Sequence, residues 1–431
     1  MTGIFRPGNT TPKGMRQPGY LSRPALAIAV SALAILGIAL RLANLNNVIE
    51  RTPDERVYAQ QANAWRAQGH AGLLANVADY ELNPATRQYP APTRVGMIRL
   101  VAAAMQWTGE PGERAGAFIS CAAAIASIFI FILLGIRFFP AMAFLIALLF
   151  YAVSPMQLMM ARRTWTDALV EMFSLGMVYV VCEISRGSRG GAVWYTLFAA
   201  MAGAGITIKE YMILPSGLCA LWILWVLLVN RRQWKEGIAM AGITLAGVGA
   251  ALWWLAASVG GMRELLWVIN SIPQANAQNS YALEYASGPG YLLLGGLYIL
   301  TPVAALCALV GLYFAFRPPA GLSVNRVAIR WLGIFVSALV LFAMVVPHWL
   351  NLRYIAPVFG PFYLLAGFGF AWVFTVCLKG FGPTEGKVFA VLAVGLLIFD
   401  AGTDYARFRR IFVVDGTPDM SIRFLLNERA R

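Results

Sequence analysis

Residues 24–42 read PALAIAVSALAILGIALRL, with one charge, Arg41, next to the last position. As an α-helix a run of that length rises by about 28 Å, close to the ~30 Å of a bilayer's hydrocarbon core. Before it stand residues 1–23, rich in Pro, Gly and Thr, with Arg6, Lys13, Arg16 and Arg23 and no acidic residue. That composition reads as a disordered basic tail on the cytoplasmic side. After it comes Thr52-Pro53-Asp54-Glu55-Arg56-Val57-Tyr58, with two adjacent carboxylates at the mouth of an apolar chain. Two readings of that pair are compatible. Thr52 caps a helix, Pro53 opens it, and Asp54 and Glu55 sit favourably against its dipole. Such a capped start is also a rigid mount for a catalytic carboxylate.

The rest of the chain repeats the first run. It is 431 residues long, 59% hydrophobic and 13% charged, with mean hydropathy +0.66. Soluble domains carry about 25% charged residues, so the fold class is an all-α polytopic membrane protein. Ten further runs at 115–136, 138–158, 165–183, 192–208, 211–229, 237–257, 291–315, 328–347, 353–377 and 388–402 give about eleven spans. Between residues 44 and 114 lies a long polar loop whose weakly apolar patch, Val95–Trp107, holds Arg99 and reads as an interfacial helix. Residues 258–290 form a second such loop, and 403–431 a short basic tail. The five cysteines show no CxxC spacing and read as small core residues. His70 and His348 are too far apart for a local metal motif.

With the N-terminus inside, every short loop on that side is basic. The inside segments hold fifteen Lys and Arg, among them Arg137, Arg186, Arg231, Arg232 and Lys235, against Glu183, Glu236 and Glu385. Membrane topology therefore accounts for the net charge of +14 without a nucleic-acid partner. Nearly all carboxylates fall outside, so any chemistry is expected on the extracytoplasmic face. No GxxxxGK[ST] phosphate loop or internal repeat is present.

Four stretches converge on that face. They are Asp54-Glu55, then Arg163 to Asp167, then Lys209-Glu210, and His348 to Tyr354. Taken singly, each has a plain reading. Arg163 and Asp167 could pair four residues apart on a helix, Lys209 could snorkel, and Arg353 could mark the membrane border. Glu171 lies a turn deeper, where an ionisable group needs a partner or a role. Together they set carboxylates among several cations, a setting suited to a phosphate ester and a base.

The order of these elements resembles the GT-C superfamily of integral-membrane glycosyltransferases, in its protein O-mannosyltransferase and aminoarabinose-transferase type. The likeness rests on Asp54-Glu55-Arg56-Val57-Tyr58, on Tyr89-Pro90-Ala91-Pro92 as a degraded His-Pro-Pro element, and on Gly135-Ile136-Arg137-Phe138-Phe139. It continues with Ser154-Pro155 and Arg162 to Asp167, with Thr207-Ile208-Lys209-Glu210, and with Arg353-Tyr354-Ile355-Ala356-Pro357. The resemblance implies transfer of a sugar from a polyprenyl-phosphate carrier to a protein, lipid or glycan acceptor outside a bacterial inner membrane. It implies Asp54 as base, Asp167 orienting either it or an arginine, Glu55 supporting the loop, and Lys209, Arg353, Arg163 and Tyr354 around the donor phosphate. Tyr58, Tyr89, Trp267 and Asn270 are candidate substrate contacts, the last two from the amide- and aromatic-rich 258–290 segment. No spacing demands a cofactor, although Asp54 would be the ligand if a divalent metal took part. The competing classes are a multi-span transporter and a lipid-linked glycan polymerase or ligase. A transporter would tend to place its charges at the midplane and to show a repeat.

Overall fold

The computed structural model describes residues 22–43, 45, 48, 51–187, 190–278, 301–317, 325–345 and 352–414. Among them there is no strand. The helices are α1 (Arg23–Leu42), α2 (Pro53–Gln68), α3 (His70–Leu82), α4 (Val95–Thr108), α5 (Gly112–Phe138), α6 (Ala141–Val153), α7 (Pro155–Met160) and α8 (Asp167–Arg186). There follow α9 (Gly191–Ile208), α10 (Ile213–Leu224), α11 (Trp234–Val259), α12 (Met262–Gln278), α13 (Pro302–Phe316), α14 (Arg326–Val345), α15 (Ala356–Gly380) and α16 (Pro383–Phe408). Nine segments among the described residues are long and apolar enough to cross a membrane, and α6 and α13 are shorter apolar helices. Each of the eleven apolar runs thus corresponds to a helix over its described residues, the 291–315 run from Pro302 onward. The interfacial reading of Val95–Trp107 meets α4.

Helix α8 is the axis of the bundle. Of its apolar window 83% is buried, against 56% for the next most enclosed candidate span and 11% for α11 at the periphery. Close helix contacts depend on small residues, as is usual where lipid supplies no hydrophobic drive for association. At Gly311 of α13 a Cβ would overlap the Leu365 backbone of α15, and at Gly369 of α15 one would overlap the Cys307 carbonyl.

Three segments depart from the sequence reading. The 258–290 loop begins with α12, an amphipathic helix that carries Trp267 and Asn270. Residues 279–290 lie outside the described residues. The tail expected from 403 onward instead continues α16 to Phe408 and through a π-helical turn to Val414. Tyr405, Phe408 and Phe412 stack along one face there, and Asp400 and Asp404 are turned inward and buried. Their polarity thus belongs to an internal face of the helix. The pair foreseen between Arg163 and Asp167 on one helix is replaced, because residues 161–166 form a turn ahead of α8.

Candidate active site

The first turn of α2 builds the scaffold. Thr52 Oγ1 accepts from the Glu55 amide, and Glu55 Oε2 accepts from the Thr52 amide at 2.8 Å, closing a reciprocal capping box. Glu55 is fully buried and collects more donors. Arg163 reaches Oε2 at 3.0 Å, while Arg51 at 2.8 Å and the Thr164 amide at 3.1 Å reach Oε1. With those lone pairs occupied, Glu55 fastens the 161–166 turn to α2 and is poorly placed to take a proton.

Asp54, its neighbour, is on the accessible side of the same turn. Its Oδ2 meets Arg353 Nη2 at 2.6 Å, joining the start of α2 to the segment that opens α15. Trp165 lies between the cations. Its indole N–H donates to Thr52 Oγ1 at 3.1 Å, and its ring centre is 4.6 Å from the Arg353 guanidinium carbon and 5.8 Å from that of Arg163. Stacking on one buried ring holds two like charges at fixed positions. Close packing from behind is set by Gly116 of α5, where any Cβ would fall inside the Thr164 side chain.

Lys209 follows the last turn of α9. Its Nζ is 2.7 Å from Asp167 Oδ1 and 4.9 Å from the ring centres of both Tyr211 and Tyr354. Burial lowers the lysine pKa to about 8. Asp167 opposes this, and nearby Arg94 and Arg353 add to it. Arg94, at the start of α4, donates to Tyr58 Oη at 2.8 Å and to Glu210 Oε2 at 3.2 Å, and Thr93 holds the other Glu210 oxygen at 2.7 Å. Burial works against the Arg94 charge, but Glu210 and Tyr58 outweigh it and raise its pKa. Burial also lifts the Tyr58 phenol to about 12, with Arg94 pulling the other way. Arg162, beside Arg163, is brought down to about 10 by burial and by the charges of Arg163 and Arg51.

Most residues singled out from the sequence therefore meet. Asp54, Glu55, Tyr58, Arg163, Asp167, Lys209, Arg353 and Tyr354 form one network drawn from four separated stretches. Trp267 and Asn270 stand to the side. Trp267 packs on Arg87 and edge-on to Tyr80, and Asn270 is exposed. Tyr89 is half-buried and makes no side-chain hydrogen bond among the described residues. Residues 348–351 of the fourth stretch lie outside the described residues. Glu171 is buried on α8 and accepts from Gln157 at 2.7 Å, which supplies its partner. Among the described residues no three His, Cys, Asp or Glu side chains cluster as a metal-ligand set, and the Asp54 oxygen faces a guanidinium.

Three members of the network have no role assigned from the sequence, and of these only Arg94 lies outside the four stretches. Arg94 could have been noticed as a charge immediately before an apolar helix, and Glu210 as the neighbour of Lys209. Trp165, between Arg163 and Asp167, carried no signal beyond its size.

Residues 97–254, which include Arg163, Asp167 and Lys209 but neither Asp54 nor Arg353, match the family model of dolichyl-phosphate-mannose-protein mannosyltransferase. No curated protein matches the chain in sequence. The fold is similar to crystal structures of ArnT from Cupriavidus metallidurans. In the apo state the TM-score is 0.59 at 14% identity, covering 93% of this chain and 75% of that one. Bound to undecaprenyl phosphate it is 0.60 at 14% identity, covering 94% and 75%. The resemblance read from the sequence is thus borne out as a likeness: residues 97–254 match the dolichyl-phosphate-mannose-protein mannosyltransferase model, and the polytopic helical fold is similar to that of ArnT.

Proposed function

We propose that this protein is a glycosyltransferase that moves a sugar from a polyprenyl-phosphate carrier to an acceptor hydroxyl on the extracytoplasmic side, by single displacement. The observation that carries the reading is the Asp54–Arg353 contact at 2.6 Å, within a site that also holds Lys209, Arg163 and Arg94. A base and phosphate-binding cations are what this reaction needs in one place. The similar ArnT fold with undecaprenyl phosphate bound supports a carrier of that kind. The gathering of charge at one end of the bundle supports an enzyme over a transporter.

Arg353 and Lys209 bind the donor phosphate, and each already holds a carboxylate, Asp54 and Asp167. Arrival of the phosphate draws Arg353 from Asp54, so that the carboxylate is freed as the donor is seated. Asp54 then accepts the acceptor hydroxyl proton while that oxygen attacks the anomeric carbon. The bond between that carbon and the phosphate oxygen breaks, and the carrier leaves as a phosphate monoester. Its growing negative charge is met by Arg353 and Lys209. The anomeric configuration inverts.

The test is transfer by purified protein in nanodiscs, with a panel of radiolabelled polyprenyl-phosphate sugars and Asp54→Asn alongside wild type. Transfer by wild type that falls at least about a hundredfold in the variant, with donor binding kept, is the expected outcome for loss of a general base. Substrate-dependent flux in proteoliposomes with no turnover on any donor would overturn the reading.

A further inference from the structure

Arg99 sits outside the network described above and has no task in it. It lies on α4, exposed, with its guanidinium carbon 4.9 Å from the ring centre of Trp65 on α2 and 5.3 Å from that of Trp254 on α11. Three helices meet at this one cation. Among the described residues Arg99 makes no hydrogen bond or ion pair. Arg87 is a useful contrast. It also stacks on a tryptophan, Trp267, at 5.1 Å, but its N–H groups are used by the Tyr80 and Glu81 carbonyls at 3.1 and 2.6 Å. Stacking fixes a guanidinium plane and leaves its N–H edge as the recognition surface, and a phosphate matches that edge with two parallel hydrogen bonds.

The surroundings say which phosphate. Trp254 is near the end of a candidate span, and its neighbour Trp253 is 71% exposed. Tryptophans at that position mark the headgroup level of a bilayer. Leu100, next to Arg99, and Trp107, on the same helix, are also exposed, Trp107 at 91%. A cation with free donors, set in an apolar and aromatic surface at headgroup depth, is complementary to a lipid phosphate.

We infer that Arg99, framed by Trp65 and Trp254, is a binding site for the headgroup phosphate of an anionic phospholipid, separate from the Asp54 site. Bound there, the lipid ties α2, α4 and α11 together at the membrane surface.

The experiment is native mass spectrometry of the full-length protein released from detergent. It compares phosphatidylglycerol with phosphatidylcholine for wild type, Arg99→Gln, Arg99→Lys and Arg56→Gln, the last an exposed cation elsewhere on α2. Wild type is expected to retain phosphatidylglycerol preferentially. Arg99→Gln should weaken one equivalent about fivefold, the worth of one basic residue at an anionic surface. Arg99→Lys should keep part of the binding and Arg56→Gln all of it. Because Arg99 is exposed, the variant should elute as wild type does on size exclusion. Equal retention of phosphatidylglycerol by wild type and Arg99→Gln would overturn the inference. So would a loss confined to added polyprenyl phosphate, which would assign Arg99 to the carrier. Neither outcome depends on whether the protein transfers sugar.

Discussion

Asp54 and Glu55 share a helix turn and differ in exposure, and that difference divides their work. Glu55 is saturated by donors from its own helix and from the 161–166 turn, whereas Asp54 presents an oxygen to one arginine. The resemblance in sequence already set Asp54 as base and Glu55 as loop support, and the side chains each one meets give that division a physical cause. Lys209 gives the sharpest residue-level prediction. Its pKa of about 8 lies below the 10.5 of a free lysine because burial disfavours its charge. Donor capture should therefore weaken as pH rises through about 8, seen as a falling kcat/KM for donor, which reports the free enzyme. Lys209→Arg keeps its charge and should flatten that alkaline limb. Stability moves in the opposite sense. Between about pH 8 and 10.5 the unfolded chain holds the proton that the folded chain has released, so the contribution of Lys209 to stability grows across that window.

Elements carry the site by fastening to one another. Glu55→Gln removes one partner of a buried ion pair, a change that costs about 3–5 kcal/mol. It should lower the thermal unfolding midpoint well below that of Asp54→Asn, whose carboxylate is partly exposed. A similar midpoint in the two variants would contradict the division of roles. The junction of α5 with the 161–166 turn makes a second prediction. Gly116→Leu forces Thr164 away, and overpacking of this kind costs about 1–3 kcal/mol. Since Thr164 is tied to Glu55 through its amide at 3.1 Å, activity should fall along with the midpoint. Hydropathy made the helices legible because burial in lipid demands long apolar runs wherever they pack. It could not reveal Arg94 against Glu210, since an ion pair between residues 116 apart leaves no periodicity in either segment. The continuation of α16 past residue 402 is hidden for a related reason. Asp404 and the charges after it lower the local hydropathy, yet this face is internal, where Asp404 is buried and Asp400 accepts from Thr301 at 2.6 Å.

Across the whole molecule, charge and hydropathy agree on one arrangement, with the site at the end opposite the basic short loops. This orientation is open to direct test. A membrane-impermeant maleimide applied to intact cells should label Asn63→Cys, on an exposed face of α2, and spare Lys235→Cys at the start of α11. The five native cysteines are buried or half-buried and should give little background. The reverse labelling pattern would turn the molecule over and place the site in the cytoplasm.

The contact between Asp54 and Arg353 spans 299 positions of the chain. Helices enter the membrane in the order they are synthesised, so the carboxylate reaches its place long before its arginine exists. A nascent or prematurely ended chain therefore holds the Asp54 carboxylate without its Arg353 partner. On the proposed function, completion of α15 is the step that joins base and phosphate-binding arginine, and a chain ended before Arg353 is expected to leave lipid-linked sugars untouched.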